Sequence, residues 1–440
     1  YVQEGLQLAA DMEKRPKRPA HVTVNGYAYT WYLSPRLNPG PRSRLGKIKT
    51  WIRWQRPYLF FVIYYVKWIL QWRHKGLPDY LACIEQWRQL DPAAASDEQL
   101  LSGVRALTIA DVIYWVHTRR VMGVSKVHEY LLNDFLRKHA PESGSMMGVA
   151  VDVGVGVGAG AGVGSGEDVG GTGNITARGV SRQMITNGGD SGMFIGGFTS
   201  KTAQAQADLA AIAKQIRAEE KLYELVIVTP AERLLDTLRK NADGRPVIGE
   251  IEHYLDKYGH VVYTLDYAEP TQADAPLPVL MSLKALVQGT GYDPTARQTE
   301  SARKREASVK EAIKLFGPLQ RWKFRWRLWL ARYYCRHREE ALFFIGAAWA
   351  VLRPLALELG RRLVEVGTLA SADDVFYLTS EELEEAIQAR KEEQALPDYI
   401  QKAADQRELR EARKRIHPPG KIPPEAGGET PETQILNEEG

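Results

Sequence analysis

The sequence has 440 residues, a formal net charge of +4 and only two cysteines, Cys83 and Cys335. This length can bury one large hydrophobic core or two smaller ones. Two cysteines allow at most one disulfide, and no Cys or His group has the ligand spacing of a zinc site. No segment resembles a signal peptide or an apolar run long enough to cross a bilayer, which favours a soluble cytoplasmic protein.

Positive charge is concentrated at the start of the chain. Residues 1–75 contain 14 Lys or Arg and three acidic residues, so the remaining residues carry a net charge of −7. Such a basic region can bind nucleic acid, an anionic lipid surface or an acidic partner domain. It is more often a solvated face, and no nucleic-acid motif accompanies it, so neither nucleic acid nor a membrane is predicted as a partner.

Residues 1–142 are predicted to form a basic, aromatic-rich, mainly helical region. Asn25-Gly26 between alternating apolar residues predicts one small β-hairpin near Val22 to Trp31. Helices are predicted at 57–72, 77–90, 96–122 and 126–139. The third begins with Ser96 and Gln99 at the spacing of a capping box.

Glycine dominates the next region, residues 143–200. It satisfies GxGxxG by composition alone, and no G-K-[ST] follows, so a nucleotide loop is not predicted. Without large side chains it cannot bury enough surface to offset its ordering entropy, and it is interpreted as a flexible insertion.

Helical spacing resumes over residues 201–395. One predicted helix ends at Gly259, which places His260 just after the helix end, beside Tyr258, Tyr263 and Asp266. A histidine in this position suits acid/base chemistry. Alternatively, His260 caps the helix carbonyls and packs.

The densest aromatic segment is Arg321 to Arg336. Trp322, Trp326, Trp329 and Tyr333 recur at helical spacing, which predicts an amphipathic helix. Such a stripe is usually part of a core, and the alternative is a pocket wall. Residues 341–352 are apolar on all sides and predict a separate buried helix.

Two segments resemble a known family. The run from Leu359 to Leu383 reads LGRRLVEVGTLASADDVFYLTSEEL. It resembles the end of the acceptor domain in phosphoenolpyruvate-synthase-like (PEP-utilising) phosphotransferases, the group that contains rifampin phosphotransferase, phenylphosphate synthase and prodigiosin-type condensing enzymes. Tyr254 to Pro270 resembles the YGHR segment of the same family.

The resemblance implies a division of labour between domains. An ATP-grasp domain with ATP and Mg phosphorylates a histidine on a swivelling carrier domain, and the phosphohistidine then passes its phosphoryl group to a small-molecule acceptor in the helical middle domain. None of the nine histidines has the carrier motif. The chain is therefore expected to be the acceptor-binding part, with no cofactor of its own and no activity in isolation. Residues 396–440 then form a charged helix and a Pro/Gly linker towards the carrier domain.

The resemblance also suggests a site. Arg338 resembles the arginine of a family R-E-x-x-K segment and would bind phosphoryl oxygens, while His260 would be the base. Leu342 replaces the family's lysine, which suggests a more apolar acceptor. The expected pocket wall is aromatic: Trp322, Trp326, Trp329, Tyr333, Phe343 and Phe344.

The predicted fold is all-α, with multi-helix bundles and one small hairpin. Three functions remain open. The first is the acceptor domain of an ATP-dependent dikinase-type phosphotransferase acting on a phenol-like or rifamycin-like hydroxyl. The second is the substrate domain of a condensing enzyme of the same family. The third is a helical binding or scaffold protein.

Overall fold

The computed structural model describes residues 21–24, 27–30, 65–139, 192–195, 200–263, 266–289, 294–392 and 394–415. These residues are mostly helical, as predicted. Two short antiparallel strands, β1 (His21–Val24) and β2 (Tyr27–Thr30), pair with His21 opposite Thr30. The Asn25-Gly26 turn lies outside the described residues, so the hairpin stays a prediction.

Thirteen α-helices have both ends within these ranges, and residues 65–71 are helical as well. A π-helical turn, Trp72–Gly76, leads directly into the first helix, and short 3₁₀ turns lie at Ala231–Arg233 and Ala372–Tyr377. The helices are α1 (Leu77–Arg88), α2 (Asp97–His139), α3 (Gly192–Ile195), α4 (Lys201–Ala218), α5 (Glu220–Val228), α6 (Leu234–Lys240), α7 (Arg245–Tyr258), α8 (Leu277–Gln288), α9 (Pro294–Lys314), α10 (Pro318–Phe343), α11 (Trp349–Glu365), α12 (Ser380–Lys391) and α13 (Ile400–Lys414).

The chain forms two compact units, each discontinuous in sequence. The first comprises Tyr1–Tyr64, Leu90–Ile109 and Arg353–Gly440, and the second comprises Tyr65–Gln89 and Ala110–Leu352. The four consecutive segments expected from composition are a different division and stay a prediction.

The second unit contains two hydrophobic clusters. One is built by α4 to α8, where α7 turns Val247, Ile251, Tyr254 and Tyr258 inward at helical spacing. The other joins α2, α3, α9 and α10. In that cluster Phe324 is fully buried, and its ring contacts those of Phe135, Phe194 and Phe316.

Buried ion pairs and caps organise the first unit. Arg362 donates to Asp97 Oδ1 at 2.7 Å and to Glu358 Oε1 at 2.8 Å. Thr379 and Glu382 form the capping box that begins α12, with the Glu382 amide donating to Thr379 Oγ1 at 3.3 Å. Both residues of this box are visible in the sequence.

Two helix predictions are wrong in their boundaries. Residues 341–352 do not form one helix, because α10 ends at Phe343 and α11 begins at Trp349. Gly346 has φ of 76° in the turn between them, a conformation that ends a right-handed helix. Conversely, residues 96–122 and 126–139 belong to one uninterrupted helix, α2.

Several predicted features fall outside the described residues. Most of the Gly-rich region at 143–200 does so, as do the closing linker from residue 416 onward and most of the helix expected at 57–72. Within the described ranges, no helix is long and apolar enough to cross a membrane.

Candidate functional site

The loop after α7 is held in place by backbone hydrogen bonds. The amide of Gln272 donates to the carbonyl of Val261 at 3.2 Å, and the amide of Ala273 donates to the carbonyl of Gly259 at 2.9 Å. A Cβ on Gly259 would lie 2.2 Å from the carbonyl oxygen of Leu255, so this helix end requires glycine. These contacts hold the residues on either side of His260.

His260 lies between the rings of two phenylalanines. Its ring is perpendicular to Phe343 at a centroid distance of 4.8 Å and nearly parallel to Phe344 at 6.0 Å. The backbone of Phe343 and that of Lys257 favour the protonated ring, whereas Nε2 is buried without a hydrogen-bond partner. We assign the proton to Nδ1, which leaves the Nε2 lone pair free.

The protonation state of His260 follows from this environment. Burial lowers the pKa of His260 to about 4, and the charge of Arg88 also lowers this pKa. The backbone of Phe343 has the opposite effect, which is smaller than that of burial. The imidazole is therefore neutral at pH 7. A neutral ring with a free nitrogen can accept a proton from a hydroxyl that approaches it.

A buried carboxylate, Asp111, anchors the surrounding elements. Its oxygens accept hydrogen bonds from the Tyr80 hydroxyl at 2.6 Å, the Trp349 indole nitrogen at 3.0 Å and the Tyr267 hydroxyl at 3.1 Å. Burial raises the pKa of Asp111, and the hydrogen bonds oppose this. The network ties α1, α2, the loop after His260 and the start of α11 together.

Arg338 is placed differently from the prediction. Its guanidinium contacts Glu129 at 3.3 Å and Glu339 at 3.1 Å, and its side chain is 14% exposed. Phe343 lies five residues further along α10, which turns it roughly 140° away from Arg338. Arg338 and Phe343, which contacts His260, therefore lie on different sides of α10.

The predicted aromatic wall divides into two groups. Phe343 and Phe344 lie against His260, and their role as a pocket wall stays a prediction. The other four side chains are exposed to solvent: Trp322, Trp326, Trp329 and Tyr333. A cavity wall built from these four rings would require another surface over them.

Sequence reasoning did not single out two residues of this region, Arg88 and Asp111. Arg88 ends α1 and lies close enough to His260 for its charge to lower the pKa of the imidazole. It is exposed, and its nearest carboxylate contact, Glu85, is 4.0 Å away. Asp111 gives no local signal, because it is a single acidic residue within a long helix and its partners are far away in sequence.

Among the described residues, no group of three or more His, Cys, Asp or Glu side chains could hold a metal ion.

Comparison with known proteins supports the resemblance seen in the sequence. Residues 175–339 match the family model described as the rifampicin phosphotransferase fourth domain. The matched range contains His260 and Arg338 and ends before Phe343. Together with the relatives below, this match supports membership of the PEP-utilising phosphotransferase family, at limited identity and over a limited part of the chain.

Two curated relatives carry the same name, rifampicin phosphotransferase. The protein from Streptomyces sviceus is 26% identical over 202 residues, which cover 44% of this chain and 23% of the relative. A protein from a Streptomyces species is 27% identical over 202 residues, with the same two coverages. The chain thus matches about a quarter of the length of each relative.

Proposed function

We propose that this chain is the acceptor-binding part of an ATP-dependent dikinase-type phosphotransferase. It receives a phosphoryl group from a phosphohistidine carrier domain and delivers it to a hydroxyl of a small, largely apolar compound, of phenol-like or rifamycin-like chemistry. ATP and Mg are used by an ATP-grasp partner domain. The isolated chain is inactive in this scheme, because it supplies neither the nucleotide site nor the carrier histidine.

The observation that carries the proposal is the free Nε2 of His260 between two phenylalanine rings. As the P–N bond to the carrier histidine breaks and the O–P bond to the acceptor forms, the acceptor hydroxyl loses its proton to Nε2. The proton on Nδ1 stays in place, and the ring orientation is set by Phe343 and Phe344, which pack against the imidazole. General-base assistance of this kind contributes a factor on the order of 100 or more.

The best-placed cation for the phosphoryl oxygens is Arg88. It lies near His260, and its contact with Glu85 is long and exposed. Arg338 is less suitable, because binding a phosphoryl group there would require displacing two carboxylates. A positioned cation stabilises the negative charge that spreads over the transferring group.

The surroundings of His260 favour an apolar acceptor. Phe343 and Phe344 present ring faces and edges that can pack against an aromatic compound. Leu342 stands where the family resemblance has a lysine, which removes a charge from the same helix end.

The test is transfer from a labelled carrier. The chain is combined with an ATP-grasp domain and a carrier domain whose histidine bears a ³²P phosphoryl group, and phenol or a rifamycin is added. We expect the label to move from the carrier to the acceptor only when this chain is present. Label that stays on the carrier with every hydroxyl compound of this class would contradict the proposal.

A further inference from the structure

α10 carries an exposed apolar stripe, the aromatic seam, on the face opposite the core. Phe324, Leu328, Ala331 and Cys335 of this helix are buried in the hydrophobic cluster of the second unit. The seam points the other way and consists of Leu319 (65% exposed), Trp322 (63%), Trp326 (42%), Trp329 (54%) and Tyr333 (38%). Large apolar side chains exposed in one continuous row mark an interaction surface.

The spacing of the seam indicates the shape of its partner. Its five residues follow one another at intervals of three, four, three and four, as the a and d positions of a coiled coil do. A stripe this narrow is typical of contact with another helix, whereas a helix lying on a membrane presents a wider apolar face.

The rings are already aligned along this row. Trp326 stacks on Trp329 at a centroid distance of 5.3 Å, and Trp329 stacks on Tyr333 at 5.5 Å, with interplanar angles of 20° and 19°. Mutual stacking restricts the side chains before a partner binds, which reduces the entropy that binding must overcome.

The charges beside the seam indicate the chemistry of the partner. Lys323, Arg325 and Arg336 are exposed next to it, and α10 contains no Asp or Glu from Pro318 to Arg338. A second copy of this helix would bring the same cations face to face, which is unfavourable. Acidic residues flanking an apolar stripe would complement them.

From this geometry and charge we propose that the aromatic seam is a docking surface for an amphipathic helix of another protein or domain, with Asp or Glu flanking its apolar stripe. Indole rings fill the spaces between the side chains of the partner helix, and the flanking cations pair with its carboxylates. The proposal is independent of the chemistry at His260.

The test uses two labelled synthetic helical peptides of about three heptads. Both have Leu at the a and d positions, and they differ only at e and g, where one has Glu and the other Lys. Fluorescence anisotropy with the full chain should show binding of the Glu peptide, with the Lys peptide bound at least about tenfold more weakly. Equal binding of both peptides, or no binding of the Glu peptide, would overturn the proposal.

Three variants locate the binding surface. In the double variant Trp326→Gln/Trp329→Gln, affinity for the Glu peptide should fall by roughly tenfold or more, since central aromatic residues dominate such interfaces. The double variant Arg325→Glu/Arg336→Glu keeps all the rings and should lose the preference for the Glu peptide. Tyr223→Gln, at an exposed position on α5, should bind like the wild type. Circular dichroism checks that each variant is folded.

Two further measurements can contradict the proposal. Co-sedimentation with vesicles of phosphatidylcholine and phosphatidylserine tests a lipid surface, and sedimentation equilibrium tests self-association. If either interaction occurs and is lost in Trp326→Gln/Trp329→Gln while Glu-peptide binding is unchanged, the seam binds lipid or a second copy instead. Undiminished Glu-peptide binding by that variant overturns the proposal in every case.

Discussion

The indole nitrogen of Trp349 donates a hydrogen bond of 3.0 Å to Oδ2 of the buried Asp111. Trp349 is the first residue of α11, and Asp111 lies inside α2. The same carboxylate accepts hydrogen bonds from Tyr80 and Tyr267, so one side chain fixes elements that are far apart in sequence. Tyr80, Trp349 and Tyr267 all donate from neutral groups.

Replacing Asp111 should therefore destabilise the protein strongly. Asp111→Ala removes the acceptor shared by the Tyr80 and Tyr267 hydroxyls and the Trp349 indole, and we expect a loss of roughly 3 kcal/mol or more in the free energy of unfolding. Urea denaturation followed by circular dichroism measures this. Asp236→Ala, at an exposed position on α6, should behave like the wild type. An Asp111→Ala variant as stable as Asp236→Ala would show that the network contributes little.

Two neighbouring arginines in the first unit, Arg361 and Arg362, should contribute differently to the stability of the protein. Arg362 is 11% exposed and binds Asp97, Glu358 and the carbonyl of Ala95. Arg362→Ala should cost roughly 1–2 kcal/mol, because it removes hydrogen bonds to two part-buried carboxylates and to the Ala95 carbonyl. Arg361 is 52% exposed, and Arg361→Ala should change stability little. Equal midpoints of thermal unfolding for the two variants would argue against this difference.

Gly346 is predicted to be intolerant of substitution for two separable reasons. Its φ of 76° disfavours other residues, and a Cβ there would lie 2.6 Å from Cγ1 of Val262. Gly346→Ala should cost roughly 2 kcal/mol or more. Gly367→Ala, with φ of 81° and open space around the Cβ, should cost about 1 kcal/mol. In chemical denaturation, adding Val262→Ala should recover part of the Gly346→Ala loss, and no recovery would exclude the clash.

Stability should fall as the solution is acidified below neutral pH. Burial, with a contribution from the charge of Arg327, lowers the pKa of His128 from 6.5 to about 4. On acidification, His128 is protonated at a higher pH in the unfolded chain than in the folded protein. The contribution of neutral His128 to stability is therefore present above pH 6.5 and is lost as the pH falls towards 4. We expect His128 to contribute about 2 kcal/mol to the difference between pH 7 and pH 5.

Urea unfolding of His128→Gln at the two pH values tests this assignment. The variant should show a smaller loss of stability on acidification than the wild type, whatever its absolute stability. His253→Gln, at an exposed position on α7, is the matched control and should keep the wild-type loss. An unchanged pH dependence in His128→Gln would assign the effect to other groups.

Local patterns in the sequence predicted much of the helical structure. The capping box at Ser96 is confirmed, with the Gln99 amide donating to Ser96 Oγ at 3.2 Å, and Gly259 follows the last residue of α7. The turn at Gly346 was missed, because the surrounding residues are uniformly apolar and the close approach of Val262 is not visible in local sequence.

The candidate site was predictable only in part. The position of His260 after a helix end followed from Gly259, and Phe343 and Phe344 lie against it. The ion pairs of Arg338 and the proximity of Arg88 depend on how distant helices pack, which periodicity does not determine. Helical spacing also defines a stripe without showing whether it faces the core, and this is why the tryptophans could be assigned to a pocket wall.

The central claim is that His260 accepts the proton of the acceptor hydroxyl. The most direct measurement compares two half-reactions in the reconstituted enzyme: phosphorylation of the carrier by ATP, and transfer from the carrier to the acceptor. In His260→Gln the first should proceed at the wild-type rate and the second should slow by a factor on the order of 100 or more. In His253→Gln both should be unchanged. Acceptor transfer at the wild-type rate in folded His260→Gln would contradict the account.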